Sequence, residues 1–220
     1  MSLDMGEGHK ATAFYQFGLC SARNFLNMTR LPQTSTLKLF SCVFISLLIM
    51  VLFWQLSRDE TNSVNNMQGA LWFTMLSASS QAMVNVVLIF PEERAIFLRE
   101  VNNNMYSCSA YFWAKVWSEL PFSVAIPTIM GAIIFYAVDM NTMEFGKFLY
   151  FQLLLILIYN ASQGMGLLLS VSISKKELAV SMTSALIFLM MFFAGYFVPS
   201  DDIPGPYLPL EYMDIFKYGF

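Results

Sequence analysis

The sequence is short of charge. Asp, Glu, Lys and Arg make up 12% of its 220 residues, against about 25% in a typical soluble domain. The few charges do not lean basic either: 12 Lys and Arg stand against 15 Asp and Glu, a net charge of −3 at pH 7. No basic stripe appears, and a nucleic-acid-binding surface is excluded. There is one histidine, His9, which argues against a His-based catalytic or metal site. The three cysteines, Cys20, Cys42 and Cys108, fall in no segment assigned to the outer side, so no disulfide is expected. The N-terminus, MSLDMGEGHK, lacks the charged-then-apolar pattern of a signal peptide. A G-x-x-x-x-G-K-[ST] phosphate loop is also missing: the glycines of GMGLLLS at Gly164 come without the lysine. ATP hydrolysis is therefore not assigned to these residues.

What fills the gap is apolar. Hydrophobic residues make up 57% of the chain, with 21 Phe and 16 Met, and the mean hydropathy is +0.56. A helix needs about 20 consecutive apolar residues to cross a bilayer. Five runs qualify: residues 37–56, 69–90, 117–138, 148–173 and 178–198. They are continuous rather than alternating at period two, which predicts helices and not barrel strands. The expected fold class is all-α, a polytopic transmembrane helical domain over residues 37–198. With the N-terminus in the cytosol, inner segments hold nine Lys and Arg, and outer ones three, Arg58, Lys147 and Lys217. The positive-inside rule favours that orientation. The chain is thus expected to be a multi-pass protein of the plasma membrane or an internal membrane.

Residues 1–11 are expected to be disordered. In residues 12–30, Phe14, Phe17, Ser21, Phe25 and Met28 recur at helical spacing, while Arg23, Asn24 and Asn27 lie elsewhere around the wheel. That pattern predicts an amphipathic helix in the inner membrane interface. A helix packed on a soluble domain is the alternative. Residues 199–220 read as a Pro-rich, acidic extracellular loop after which no sixth span follows.

Between the second and third runs, residues 91–116 carry Glu92, Glu93, Arg94, Arg99 and Glu100 in one short stretch. Pro91 suits the first turn of a new helix, with Glu92 and Glu93 near its positive dipole end. The segment is expected to be a charged cytosolic elbow, either a plain solvated loop or a docking surface for a partner.

The run PEERAIFLREVNNNMYSCSAYFWAKVWSELP, with VAIPTIMGAIIFYAV after it, resembles the membrane domain of ATP-binding-cassette transporters of the G subfamily. Those are the white/pigment, sterol and multidrug half-transporters. The positions that carry the likeness are Glu93, Arg94, Phe97, Arg99, Glu100, Tyr106, Ser107, Tyr111, Phe112, Lys115, Glu119, Leu120 and Pro121. It continues through FFAGYFV and KYGF, over roughly residues 12–220.

The resemblance implies that the elbow couples to a nucleotide-binding domain, with Glu92, Glu93, Arg94, Arg99 and Glu100 as its polar contacts. That domain would hold ATP and Mg; no cofactor is expected in this chain, which is no enzyme by itself. The resemblance also implies a substrate cavity at a dimer interface. Thr74, Ala78, Gln81 and Asn85 would face it from the second span, and Ser184, Phe188 and Met191 from the fifth. Tyr196 and Phe197, after Gly195, would be the upper gate, although an aromatic belt at the outer interface also accounts for Tyr196. The implied partners are the nucleotide-binding domain, in the same full-length chain or a separate subunit, a second half-transporter, and membrane lipids, without nucleic acid. The implied activity is ATP-driven export of lipid, sterol or other hydrophobic molecules.

The family has six spans, so this membrane domain is expected to be incomplete. A truncated, non-transporting partner or remnant is the alternative. A secondary transporter, channel or intramembrane enzyme is disfavoured, because the runs hold no His and no Asp or Glu beyond Glu119 at an edge. In the fourth run, Asn160, Ser162 and Gln163, with Gly164 and Gly166, read as helix–helix packing.

Overall fold

A computed structural model describes residues 12–30, 32–54, 62–138, 145–173, 175–194, 212 and 214–219. Among the described residues there is no strand. The helices are α1 (Ala13–Arg30), α2 (Pro32–Leu52), α3 (Asn62–Asn102), α4 (Cys108–Ala137), α5 (Phe145–Ser172), α6 (Lys176–Phe193) and a short α7 (Ile215–Gly219). Five of them, α2 to α6, are long and apolar enough to cross a membrane. The class is all-α, as the apolar runs predict. The disordered N-terminus expected over residues 1–11 lies outside the described residues, as do Tyr196 and Phe197.

Two expectations are corrected. Pro91 does not open a new helix; α3 runs straight through it for 41 residues. Proline removes one donor, the N–H that would reach Val87. The residues after it, Glu, Glu, Arg, Ala, are mostly good helix formers and carry the ladder onward. The expected loop over residues 91–116 is therefore two helical arms joined by a turn. The stretch expected as an extracellular loop contains a short helix, because residues 215–219 form α7.

The chain divides into two compact units, one of residues 1–37 and 92–122, the other of residues 38–91 and 123–220. The first joins α1 to the charged end of α3 and the start of α4. Its apolar centre is Cys20, Tyr106 and Ala114, with Phe17, Phe97, Val101 and Tyr111 against them.

The second unit is centred on Trp72, Met75 and Met83 of α3, Ile158 of α5, Met190 of α6, Ala194, and Phe216 of α7. Phe216 is almost wholly buried, its ring 5.6 Å from that of Trp72. α7 fits closely, since a Cβ on Gly219 would collide with Ile158 and with the Met75 sulfur. A Cβ on Gly166 of α5 would lie 2.9 Å from the Met83 Cα and carbonyl oxygen, so only glycine lets these two backbones meet. Gly164 has nothing within 4 Å and plays no part in that crossing. Asp214, next to α7, is buried and accepts the Phe216 N–H at 2.9 Å.

Candidate functional site

The hairpin between α3 and α4 is built by local rules. The Met105 N–H reaches back to the Glu100 carbonyl (3.2 Å) and the Asn104 N–H to that of Val101 (2.9 Å). This is the paired C-terminal bonding of a Schellman motif. It needs a left-handed residue, and Asn104 supplies it at φ 53°; asparagine tolerates that conformation better than most. Ser107 then caps α4, its Oγ accepting the Ala110 N–H at 3.3 Å.

Helix α1 is bound to this hairpin. The Ser107 N–H donates to Gln16 Oε1 at 3.0 Å. Arg23 Nη1 donates to both Glu100 oxygens at 2.9 and 2.8 Å, and the Tyr106 hydroxyl donates to Glu100 Oε2 at 2.7 Å. Burial, followed by the Glu100 carboxylate, raises the Tyr106 pKa and keeps its phenol protonated. On the α4 arm, Lys115 sits between Glu93 (2.6 Å) and Glu119 (2.8 Å).

These contacts set the rotation of α1, and they correct the expected face. Phe14 and Phe25 are exposed, but with Tyr15, Leu19 and Leu26 beside them. Phe17 packs on the hairpin instead, and Ser21 and Met28 are half-buried. The outward arc of α1 is thus mainly apolar, with Asn27 also exposed on it, while Gln16, Cys20 and Arg23 face inward. Hydropathy spacing alone misses this, because the polar side chains are the ones that dock.

The five charged elbow residues separate. Glu93 and Glu100 are held by ion pairs inside the hairpin unit. Glu92 and Arg99 are exposed, and Arg94 is half-buried.

The expected cavity residues also separate. Thr74 and Ala78 are fully buried, so they open to no cavity within a single copy, and Thr74 Oγ1 is satisfied by its own helix at the Ala70 carbonyl, 2.7 Å. Gln81 is buried and Asn85 half-buried. Met191 packs against the core cluster. Ser184 and Phe188 do stand on the open face of α6, Phe188 at 61% exposure. The open face of α3 carries Phe73, exposed, with half-buried Ser77, Ser80 and Val84. The residues expected from this span thus lie about one residue, roughly 100° around the axis, from its exposed stripe. Polarity does not separate the edges, since both carry Ser, Thr or Gln.

The helical domain, with its apolar spans and the charged hairpin between the second and third, matches a family profile described as ABC-2 type transporter over residues 15–220. The chain belongs to the ABC-2 type transporter family. Its similar proteins are of the G type. ABC transporter G family member 1 of Dictyostelium discoideum is 25% identical over 206 residues, 92% of this chain and 26% of that protein. Protein white of Drosophila melanogaster is 28% identical over 217 residues, 97% of this chain and 31% of that protein. ABC transporter G family member 7 of Arabidopsis thaliana is 27% identical over 207 residues, 93% of this chain and 28% of that protein. The chain spans less than a third of the length of each. It is an ABC-2 membrane domain homologous to the G-type transporters. Among its described residues no group of three or more His, Cys, Asp or Glu is placed to hold a metal ion.

Proposed function

We propose that this membrane domain moves apolar molecules across a bilayer, driven by a nucleotide-binding domain that supplies ATP and Mg chemistry. The observation that carries the reading is the family match over residues 15–220, joined to a hairpin that leaves Glu92 and Arg99 outward. Those two residues, with Arg94, contact the nucleotide-binding domain, while Glu93 and Glu100 keep the hairpin stiff enough to transmit its movement. The exposed apolar arc of α1 lies in the inner membrane interface, with the N-terminus in the cytosol.

The substrate face combines the open stripes of α3 (Phe73, Ser77, Ser80) and α6 (Ser184, Phe188). A second half-transporter, identical or related, completes it. Aromatic walls with a few hydroxyls suit flat or amphipathic apolar molecules. Tyr196 and Phe197 form the upper gate, and transport runs outward by alternation between two states.

The test is ATPase activity of the full-length protein in lipid nanodiscs. Arg99→Glu should abolish stimulation by transported substrate while leaving the thermal midpoint unchanged. Phe188→Ala should weaken apparent substrate affinity about tenfold with basal hydrolysis intact. If neither variant alters stimulation, the coupling and cavity assignments both fail.

A further inference from the structure

Asp214 sits at the edge of the second unit's apolar centre. It is 1% exposed. Its Oδ1 accepts the Phe216 N–H at 2.9 Å. Its Oδ2 is buried with no hydrogen-bond partner among the described residues. A carboxylate held this way is a half-bonded charge in a dry site, which is far costlier than a neutral carboxyl in the same place.

The elements around it supply no countercharge. Residues 62–91 of α3 and 178–193 of α6 contain no Asp, Glu, Lys, Arg, His, Cys or Tyr. The titratable groups of α5 are Lys147, near its start, Tyr150 and Tyr159. In the segment of Asp214 itself, Lys217 sits over the Tyr212 ring at 4.5 Å, and the Tyr218 hydroxyl donates to the Tyr212 carbonyl at 3.1 Å. None of these acts on the Asp214 carboxyl. Burial pushes it up to about 6, and the Phe216 N–H is the only opposing influence.

The residues that follow Asp214 are the ones that seat α7. Phe216 enters the cluster of Trp72, Met75, Ile158, Met190 and Ala194, and Gly219 closes on Ile158 and Met75. A helix of five residues does not hold itself together in isolation, so the order of α7 depends on this seat. The state of Asp214 therefore biases a choice between two arrangements. In one, α7 is seated and the acid is neutral. In the other, α7 is released, the carboxylate is in water and its proton has passed to solvent.

We infer that Asp214 is a proton-binding site that controls the seating of α7: with the proton bound, α7 stays docked against α3, α5 and α6, and loss of the proton frees Phe216 from the cluster. With the N-terminus in the cytosol, as proposed above, the proton comes from the outer compartment. An acidic lumen then holds α7 in place, and a neutral outer medium releases it.

The experiment is hydrogen–deuterium exchange of the full-length protein in lipid nanodiscs, read on the backbone amides of residues 214–219 and corrected for intrinsic exchange rates. Protection should fall about tenfold from pH 5 to pH 8, most of it below about pH 6.5. Asp214→Asn does not ionise and should keep the pH 5 protection throughout. Phe216→Ala removes the apolar anchor and should lower protection at every pH. The amides of residues 148–172 in α5 should stay protected at all pH values. If wild-type protection does not vary with pH, or Asp214→Asn shows the same decline, the proton site is overturned. Unchanged protection in Phe216→Ala overturns the seat. Loss of protection in α5 along with α7 overturns separate release, because the whole unit is then opening. Nanodiscs expose both faces and the measurement uses neither substrate nor nucleotide, so each of these failures leaves the transport reading standing.

Discussion

Arg23 on α1 and Glu100 near the end of α3, 77 residues apart in sequence, are joined through one guanidinium nitrogen that reaches both carboxylate oxygens. Together with the Gln16–Ser107 bond, this contact fixes the rotation of α1 and so decides which of its faces is exposed. Arg23→Ala should destabilise the hairpin unit by about 1 kcal/mol, since the arginine is 40% exposed and solvent screens the pair. A double-mutant cycle with Glu100→Gln, read by thermal unfolding in detergent, measures the coupling. A coupling energy of zero would mean that apolar packing alone sets the rotation.

The second ion cluster should matter more. Lys115 bridges Glu93 and Glu119, and its side chain is 18% exposed. Lys115→Met leaves two part-buried carboxylates facing each other, which costs about 3 kcal/mol. Adding Glu93→Gln and Glu119→Gln should recover most of the loss. If the triple variant is no more stable than the single one, the lysine acts by packing and not by charge.

Asp214 gives α7 a pH dependence. Burial pushes its carboxyl up to about 6, and the bond from the Phe216 N–H only partly offsets this. A raised carboxylate pKa means that the folded state holds the proton more tightly than the unfolded chain. Stability is therefore greatest below about pH 4, falls as pH rises to about 6, and is flat above. The thermal midpoint of the wild type minus that of Asp214→Asn, measured from pH 4 to 8, should trace that decline. A difference that does not vary with pH would place the proton elsewhere.

The two glycines of α5 should behave oppositely. Gly166→Ala drives a methyl against the Met83 backbone at 2.9 Å and should cost about 1–3 kcal/mol. Gly164→Ala meets nothing within 4 Å and should be neutral or stabilising by up to about 1 kcal/mol, because alanine is the better helix former. Thermal denaturation of the two variants side by side checks the contrast.

The sequence by itself determined the solvent and the element type. Long apolar runs without charge leave the backbone no option in lipid but the helix, so five spans were legible from hydropathy, and the charged hairpin stood out between them. The family was legible too, because the hairpin motif packs many specified side chains into thirty residues. Tertiary structure decided the faces. Whether Thr74 or Ser77 opens outward on α3 depends on where Met83 meets Gly166, and that crossing involves atoms more than 80 residues apart in sequence. The turn of α1 was decided likewise by Arg23 finding Glu100. Helical periodicity gives the angle between residues on a wheel, but a wheel has no origin until a neighbouring helix supplies one.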